Sequence, residues 1–293
     1  MKVTGFSFIK NAVLFDYPIK ESLLSILPLC DEIIVAVGDC TDGTRELVAS
    51  LHPTKIKIID TVWDNTLKVG GVVLADETNK AFKAISYDTD WCFYIQGDEV
   101  FHEQDLALVK AAMLKYKNDT RIDGLLFKYQ HFYGSFDYVG ISSKWYRNEI
   151  RVIKNNPSIY SYRDAQGFRK GNDEKLNVAN TNASIYHYGW VREPEKMMAK
   201  ANNAGRYWGG EKFTTALEQT IFEGSFDYSQ IDALEKFKGK HPVIMQERIN
   251  KMNWTFNYDL TYNNLKWKDK LKNVLQKILG RRVFDYQNYK LFS

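Results

Sequence analysis

Short apolar runs alternate with amphipathic stretches through the first hundred residues, and this alternation limits the fold more than any other feature. Val3 to Ile9 reads as a strand, ended by the polar pair Lys10-Asn11. Ile19, Leu23, Ile26 and Leu27 then recur at helical spacing, up to Pro28. Glu32 to Val37 (EIIVAV) is a mostly apolar run of the kind that is buried on both faces of a parallel sheet. The turn formers GDCTDGT follow, with Thr44 placed to cap a helix carrying Leu47, Val48 and Leu51. Lys57 to Asp60 continues a third strand, Val72 to Tyr87 a helix, and WCFYIQ a fourth strand closed by GDE. Strand and helix in turn predict an α/β fold, a Rossmann-like, doubly wound, mostly parallel sheet. Such sheets bind ligands at the carboxyl ends of their strands. Three of those ends are polar here: Lys10-Asn11, Asp39, and Gln96-Gly97-Asp98-Glu99.

Further on, GLLFKYQHFYG from Gly124 and the run Glu149 to Ile153 read as strands. The remainder to about Ile185 reads as loop-rich, and the pattern beyond Glu193 as mostly helical. FDYSQIDALEKFKGKHP looks like one such helix, ended by Pro242. A chain of 293 residues has room for one large domain with an appendage. Its net charge of +4, from 40 basic and 36 acidic residues, provides no dense basic face for nucleic acid. Three widely spaced cysteines make neither a disulfide framework nor a zinc site, which points to a reducing compartment. With no signal-peptide pattern and no apolar run near the roughly 20 residues of a spanning helix, the expected location is cytoplasmic.

The segment DWCFYIQGDEVFHEQD is the richest in chemistry. A buried strand that ends in Asp98 and Glu99 places carboxylates where a divalent cation, Mg²⁺ or Mn²⁺, would bridge them to diphosphate oxygens. A cation there stabilises a departing nucleoside diphosphate. Carboxylates after a strand also commonly cap the next helix, so the segment alone does not decide between the two.

Four segments in order resemble glycosyltransferase family 2, a family of the GT-A fold, over roughly Val3 to Arg192. They are FSFIKNA, IIVAVGDCTDGT, ADETNKAFKAISYDTDWCFYIQGDEV and NASIYHYGW. The resemblance implies a nucleotide-sugar donor, a divalent metal and an inverting transfer to a glycan or lipid-linked acceptor. It implies nucleotide contacts for Lys10, Asn11, Asp39, Asn79, Gln96 and Asp98, and metal ligation by Asp98 and His187. SYRDAQGFRKG looks like the segment that carries the catalytic base, giving Asp164, with Asp173, Glu174 and Asp137 as alternatives. Arg192 and Lys196 would reach phosphates or else sit on a solvated helix face. The implied layout is a catalytic domain over 1–210, its nucleotide-binding half about 1–100 and its acceptor half about 101–210, then a helical extension over 211–293. The chain departs from the family's D-x-D-E motif at Gln96, which stands where the first Asp is usual. Gln96 can hydrogen-bond a ribose but brings no charge.

Two other readings stay open. A nucleotidyltransferase on a similar sheet would want a Gly-rich basic loop after the first strand, and FIKNAVLFD has none. A non-catalytic carbohydrate- or partner-binding protein on a degenerate scaffold is the other. Near the C-terminus, Leu271, Val274, Leu275, Ile278 and Leu279 share a helical face among Lys266, Lys268, Lys270, Lys272 and Lys277. That pattern fits peripheral contact with the inner face of a membrane, or a helix docked on the domain.

Overall fold

The computed structural model describes residues 1–209, 223–279 and 286–292. In chain order the first half runs β1 (Val3–Ile9), α1 (Ile19–Ile26), β2 (Glu32–Gly38), α2 (Thr44–Ser50), β3 (Ile56–Thr61), α3 (Val72–Lys83) and β4 (Trp91–Tyr94). Then come β5 (Glu99–Phe101), α4 (Leu106–Tyr116), β6 (Gly124–Tyr133), β7 (Tyr138–Gly140) and β8 (Asn148–Lys154). A small three-stranded sheet, β9 (Ile159–Tyr162), β10 (Gly167–Lys170) and β11 (Glu174–Lys175), precedes the long β12 (Asn177–Trp190) and α5 (Pro194–Trp208). The C-terminal part holds β13 (Leu234–Lys236), α6 (Gln246–Asn250), α7 (Trp267–Leu279) and β14 (Lys290–Leu291).

The main sheet runs β13-β7-β6-β8-β4-β1-β2-β3, with β12 beside β6 and also paired with β5 and β14. Its β4-β1-β2-β3 part is parallel throughout, as the alternating pattern requires. Alternate residues of these strands enter opposite layers. Ile33, Val35, Val37, Trp91 and Phe93 pack with Ile19, Leu23 and Ile26 of α1 and with Val109 and Met113 of α4. Phe6, Phe8, Ile34, Ala36, Cys92 and Tyr94 pack with Val73, Ala81 and Phe82 of α3 on the other face. A strand buried on both faces admits few polar residues, here Thr4, Ser7 and Glu32, whose side chains are hydrogen-bonded, and this is why these runs read so plainly.

Several expectations are corrected. Thr44 is the first residue of α2 rather than its cap, and its hydroxyl accepts from the amides of Ala12 (2.7 Å) and Val13 (3.2 Å). The α3 helix stops at Lys83, short of Tyr87, where the chain turns through Ser86 to Thr89. The fourth strand ends at Tyr94, because the Gln96 amide turns back to the Glu99 carboxylate at 3.1 Å. The stretch read as loop-rich contains β9 to β12. Strand β12 forms despite its asparagines because it pairs along β6, with a register shift between Asn180 and Ser184. The expected helix ending at Pro242 is absent: its apolar residues recur at helical intervals, yet the chain is irregular apart from β13. Tyr228, Ile231 and Leu234 are buried with Tyr133 and Met197. Residues of the 211–293 stretch also enter the main sheet, β13 against β7 and β14 against β12.

Candidate active site

β1 and β4 lie parallel and adjacent where the strand order of the sheet reverses, so their carboxyl ends flank a crevice. A cavity of about 420 Å³ opens there, within the range of small-ligand sites. It is lined by Lys10 after β1, by Gln96, Gly97 and Asp98 after β4, by Asp164 between β9 and β10, and by His187 on β12. Met197, Lys200, Ala201, Ala204 and Trp208 of α5 line it too, with Tyr17, Trp63 and Trp190.

Asp98 is buried and carries the densest charge. Its Oδ2 accepts from Lys200 Nζ at 2.9 Å, and its Oδ1 lies 3.7 Å from His187 Nε2. Burial pushes the Asp98 carboxyl upward, but Lys200, His187 and Arg192 outweigh it and hold the group well below the usual carboxylate range. Burial and the neighbouring Arg192 bring Lys200 down to about 8, against the pull of Asp98. Gly189 makes the close approach possible, since a Cβ there would fall 2.5 Å from the His187 ring and 2.8 Å from Asp98 Oδ2.

A second histidine fixes the first. His131 Nε2 lies 2.8 Å from the Tyr146 carbonyl, which can only accept, so that nitrogen carries a hydrogen. Burial, and then His187, hold the His131 pKa well below its ordinary value, so the ring is neutral and its Nδ1 is an acceptor. His187 Nδ1, 3.2 Å from that atom, therefore donates, and His187 Nε2 keeps its lone pair toward Asp98. One carboxylate oxygen and one imidazole nitrogen face each other in this way. Among the described residues no third His, Cys, Asp or Glu joins them. Asp98 is the oxygen donor this pair offers to a Mg²⁺ or Mn²⁺ ion, which is commonly held by one or two carboxylates plus phosphate oxygens and water, and His187 is the nitrogen donor beside it.

The expected residues divide on geometry. Lys10, Gln96, Asp98, Asp164 and His187 line one cavity. Asp39 stands at its edge through Lys10, whose Nζ it accepts at 2.7 Å. Asn11 is outside the lining, in a turn with φ 53°. Asn79 is engaged elsewhere: its amide both donates to Ser161 O (2.9 Å) and accepts from Ser161 N (2.7 Å), fastening α3 to β9. Glu99 starts β5, fully buried, and accepts a two-point ion pair from Arg151 and a hydrogen bond from Tyr129, so its carboxylate is not open to a cation. Asp137, Asp173 and Glu174 are exposed and outside the lining, which leaves Asp164 as the carboxylate of its group at the cavity. Arg192 is fully buried rather than solvated. It donates through Nε to Phe15 O at 2.9 Å and packs over Tyr17, while its NH2 has no partner among the described residues. Lys196 reaches Leu14 O at 3.4 Å.

Sequence reading missed Lys200 and Trp208. The available signal was the spacing of Met197, Lys200, Ala201, Ala204 and Trp208, which puts one lysine on an otherwise apolar helix stripe.

No family model matches the sequence, and no curated protein matches it. Solved structures do resemble the fold at low identity. Staphylococcus aureus TarS, residues 1–349, is 15% identical with a TM-score of 0.42, covering 70% of this chain and 65% of that one; a complex of it with UDP matches equally. Glucosyl-3-phosphoglycerate synthase from Mycobacterium tuberculosis, with Mn²⁺, UDP and phosphoglyceric acid, is 16% identical with a TM-score of 0.31 over 44% of this chain and 43% of that one. 4-Diphosphocytidyl-2C-methyl-D-erythritol synthase from Anaerococcus prevotii is 13% identical with a TM-score of 0.32 over 53% and 71%. The chain thus spans 65% of the length of the TarS fragment.

Proposed function

We propose that this chain is a glycosyltransferase that moves a sugar from a nucleotide-sugar donor to a glycan or lipid-linked acceptor. One observation carries the reading: Asp98, His187, Lys200 and Asp164 converge on one cavity at the β1/β4 crevice. The diphosphate of the donor would lie against Lys200 and Lys10, and the base and ribose toward Asp39. Asp98 and His187 would hold a divalent cation, which neutralises charge on the diphosphate as it departs. Lys200 carries a positive charge at neutral pH and can turn a hydrogen from Asp98 to a phosphate oxygen. Asp164, partly buried at the cavity, is the group to take the proton of the acceptor hydroxyl as that oxygen attacks the anomeric carbon from the face opposite the diphosphate. The tryptophans around the cavity suit the apolar faces of sugar rings.

Calorimetric titration with UDP, with and without Mn²⁺, is the first test. Tight UDP binding strengthened by Mn²⁺ supports the reading. A preference for nucleoside triphosphates points instead to nucleotidyl transfer, and no nucleotide binding points to a binding protein. Asp164→Asn tests the base: donor binding should persist while turnover falls about 100-fold or more. The same loss from Asp173→Asn or Asp137→Asn, with Asp164→Asn active, would overturn the assignment.

A further inference from the structure

The turn that carries Asp164 has strained backbone on both sides. Arg163 and Ala165 have φ values of 54° and 61°, in the left-handed region that residues with a Cβ seldom adopt. Such a conformation persists only where its surroundings determine it. Within the turn the Ala165 amide donates to Tyr162 O at 3.2 Å, which alone is a modest restraint. Two side chains supply the rest. Gln96 Nε2 donates to Ala165 O at 3.1 Å and to the Tyr94 hydroxyl at 3.2 Å, using both of its hydrogens. Arg151 NH1 donates to Gln166 O at 3.0 Å. Both rest on Glu99, whose Oε2 accepts from the Gln96 backbone amide at 3.1 Å and from Arg151 Nε at 2.9 Å.

We infer that Gln96 is a positioning residue whose side-chain amide holds the Asp164 turn against the cavity. The inference rests on the reading of Asp164 as the base. It accounts for the residue type at position 96, because only a donor can bind the Ala165 carbonyl. A carboxylate there could still accept from the Tyr94 hydroxyl but would set its lone pairs against the Ala165 oxygen. Asp98, two residues later, lines the cavity, while the Gln96 side chain at the cavity wall binds the turn and Glu99 holds Arg151 and the Gln96 amide from behind. The segment QGDE therefore divides its work between ligand and scaffold.

The test is hydrogen–deuterium exchange of the full chain, comparing wild type with Gln96→Glu. The Ala165 amide should exchange about tenfold faster in the variant, and trypsin should cut after the exposed Arg163 faster by a similar factor, while peptides from β1 and β2 are unchanged. Since Gln96 also lines the cavity, donor KM will move with the added charge, and kcat should fall about tenfold or more in Gln96→Glu and in the uncharged Gln96→Met alike. Unchanged exchange and cleavage at the turn would overturn the inference. Faster exchange with undiminished transfer would leave the clamp standing and remove Asp164 as the base. Should Gln96→Glu fail to fold, Gln96→Met removes the donor without adding charge, and the same two readouts decide.

Discussion

The Nδ1 atoms of His131 and His187 lie 3.2 Å apart, and the Tyr146 carbonyl on the far side of His131 dictates which of the two rings donates. A backbone carbonyl thereby sets the tautomer of a side chain facing Asp98, two hydrogen bonds away. Outer-shell partners of this kind orient a metal-binding imidazole and raise its basicity.

His131→Leu should accordingly weaken Mn²⁺ binding by the UDP-loaded protein about 10- to 100-fold, read by electron paramagnetic resonance of free Mn²⁺. His131→Gln keeps a donor and an acceptor and should lose less. In the metal-free protein, ¹⁵N NMR of His187 should report the hydrogen on Nδ1 in wild type. Equal Mn²⁺ affinity in wild type and His131→Leu would remove the relay from the account.

Asp98→Ala should abolish metal-assisted UDP binding, and it should also destabilise the fold. The buried carboxylate is the counter-ion of the partly exposed Lys200, with the buried Arg192 close by. Removing one partner of a buried pair costs about 3 kcal/mol or more. Urea unfolding should show a lowered midpoint with the same slope. The double variant Asp98→Ala, Lys200→Met should recover much of that stability and none of the binding. A single variant as stable as wild type would mean that Lys200 finds solvent when its partner is gone.

A pH effect is expected from Glu149, which is buried beneath the Asp164 turn. Its Oε2 lies 3.1 Å from where a Cβ on Gly167 would stand, and it has no hydrogen-bond partner among the described residues. Burial pushes its pKa up to about 8, with Glu99 and Asp164 adding to the rise and Arg151 and Asn288 opposing it. The folded chain thus retains a proton that the unfolded chain releases near its ordinary value of 4.5. Since the native state binds more protons between those values, the contribution of Glu149 to stability is fully present below about 4.5 and is lost as pH rises toward 8. Glu149→Gln should flatten this slope and be more stable than wild type at pH 8, by on the order of 3 kcal/mol. Parallel stability–pH curves for the two proteins would show that Glu149 is ionised in the fold.

What could be read from the sequence follows from how each part is buried. The strands β1, β2 and β4 lie between two helical layers, so apolar residues dominate them, with only Thr4, Ser7 and Glu32 as buried polar ones, and mark both their place and the polar residues that follow. The places of Asp98 and His187 at the cavity were legible for that reason, one after a buried strand and the other inside an aromatic one. The role of Gln96 was not, because its partner is a carbonyl 69 positions along the chain. Lys200 was hidden because a lysine on a helix is ordinarily solvated, and only its pairing with Asp98 sets it apart. The segment around Ile231 misled in the opposite direction: its apolar residues recur at helical intervals, yet tertiary packing against Tyr133 and Met197 gives each one its burial without a helix.

The α7 helix presents an apolar stripe beside a row of lysines. Trp267, Leu271, Val274 and Ile278 stand at helical spacing and are 70%, 51%, 53% and 74% exposed, so the apolar stripe of this helix faces solvent among the described residues. Leu279 and Lys277 have side chains outside the described set. Lys266, Lys268 and Lys270 are exposed alongside the stripe. No described helix is long and apolar enough to cross a membrane, whereas a basic amphipathic helix is suited to lie on one. Each lysine near an anionic surface contributes about 1 kcal/mol, screened by salt. Vesicles containing phosphatidylserine should sediment the protein at low salt and release it as salt rises. Truncation is the wrong control, because β14, beyond α7, pairs with β12, and Asn288 binds the Tyr162 hydroxyl and Arg169. Leu271→Asp with Ile278→Asp should instead remove vesicle binding while leaving UDP affinity and thermal stability as they were. If that variant loses stability and the wild type ignores anionic vesicles, the stripe packs on protein and the membrane reading falls.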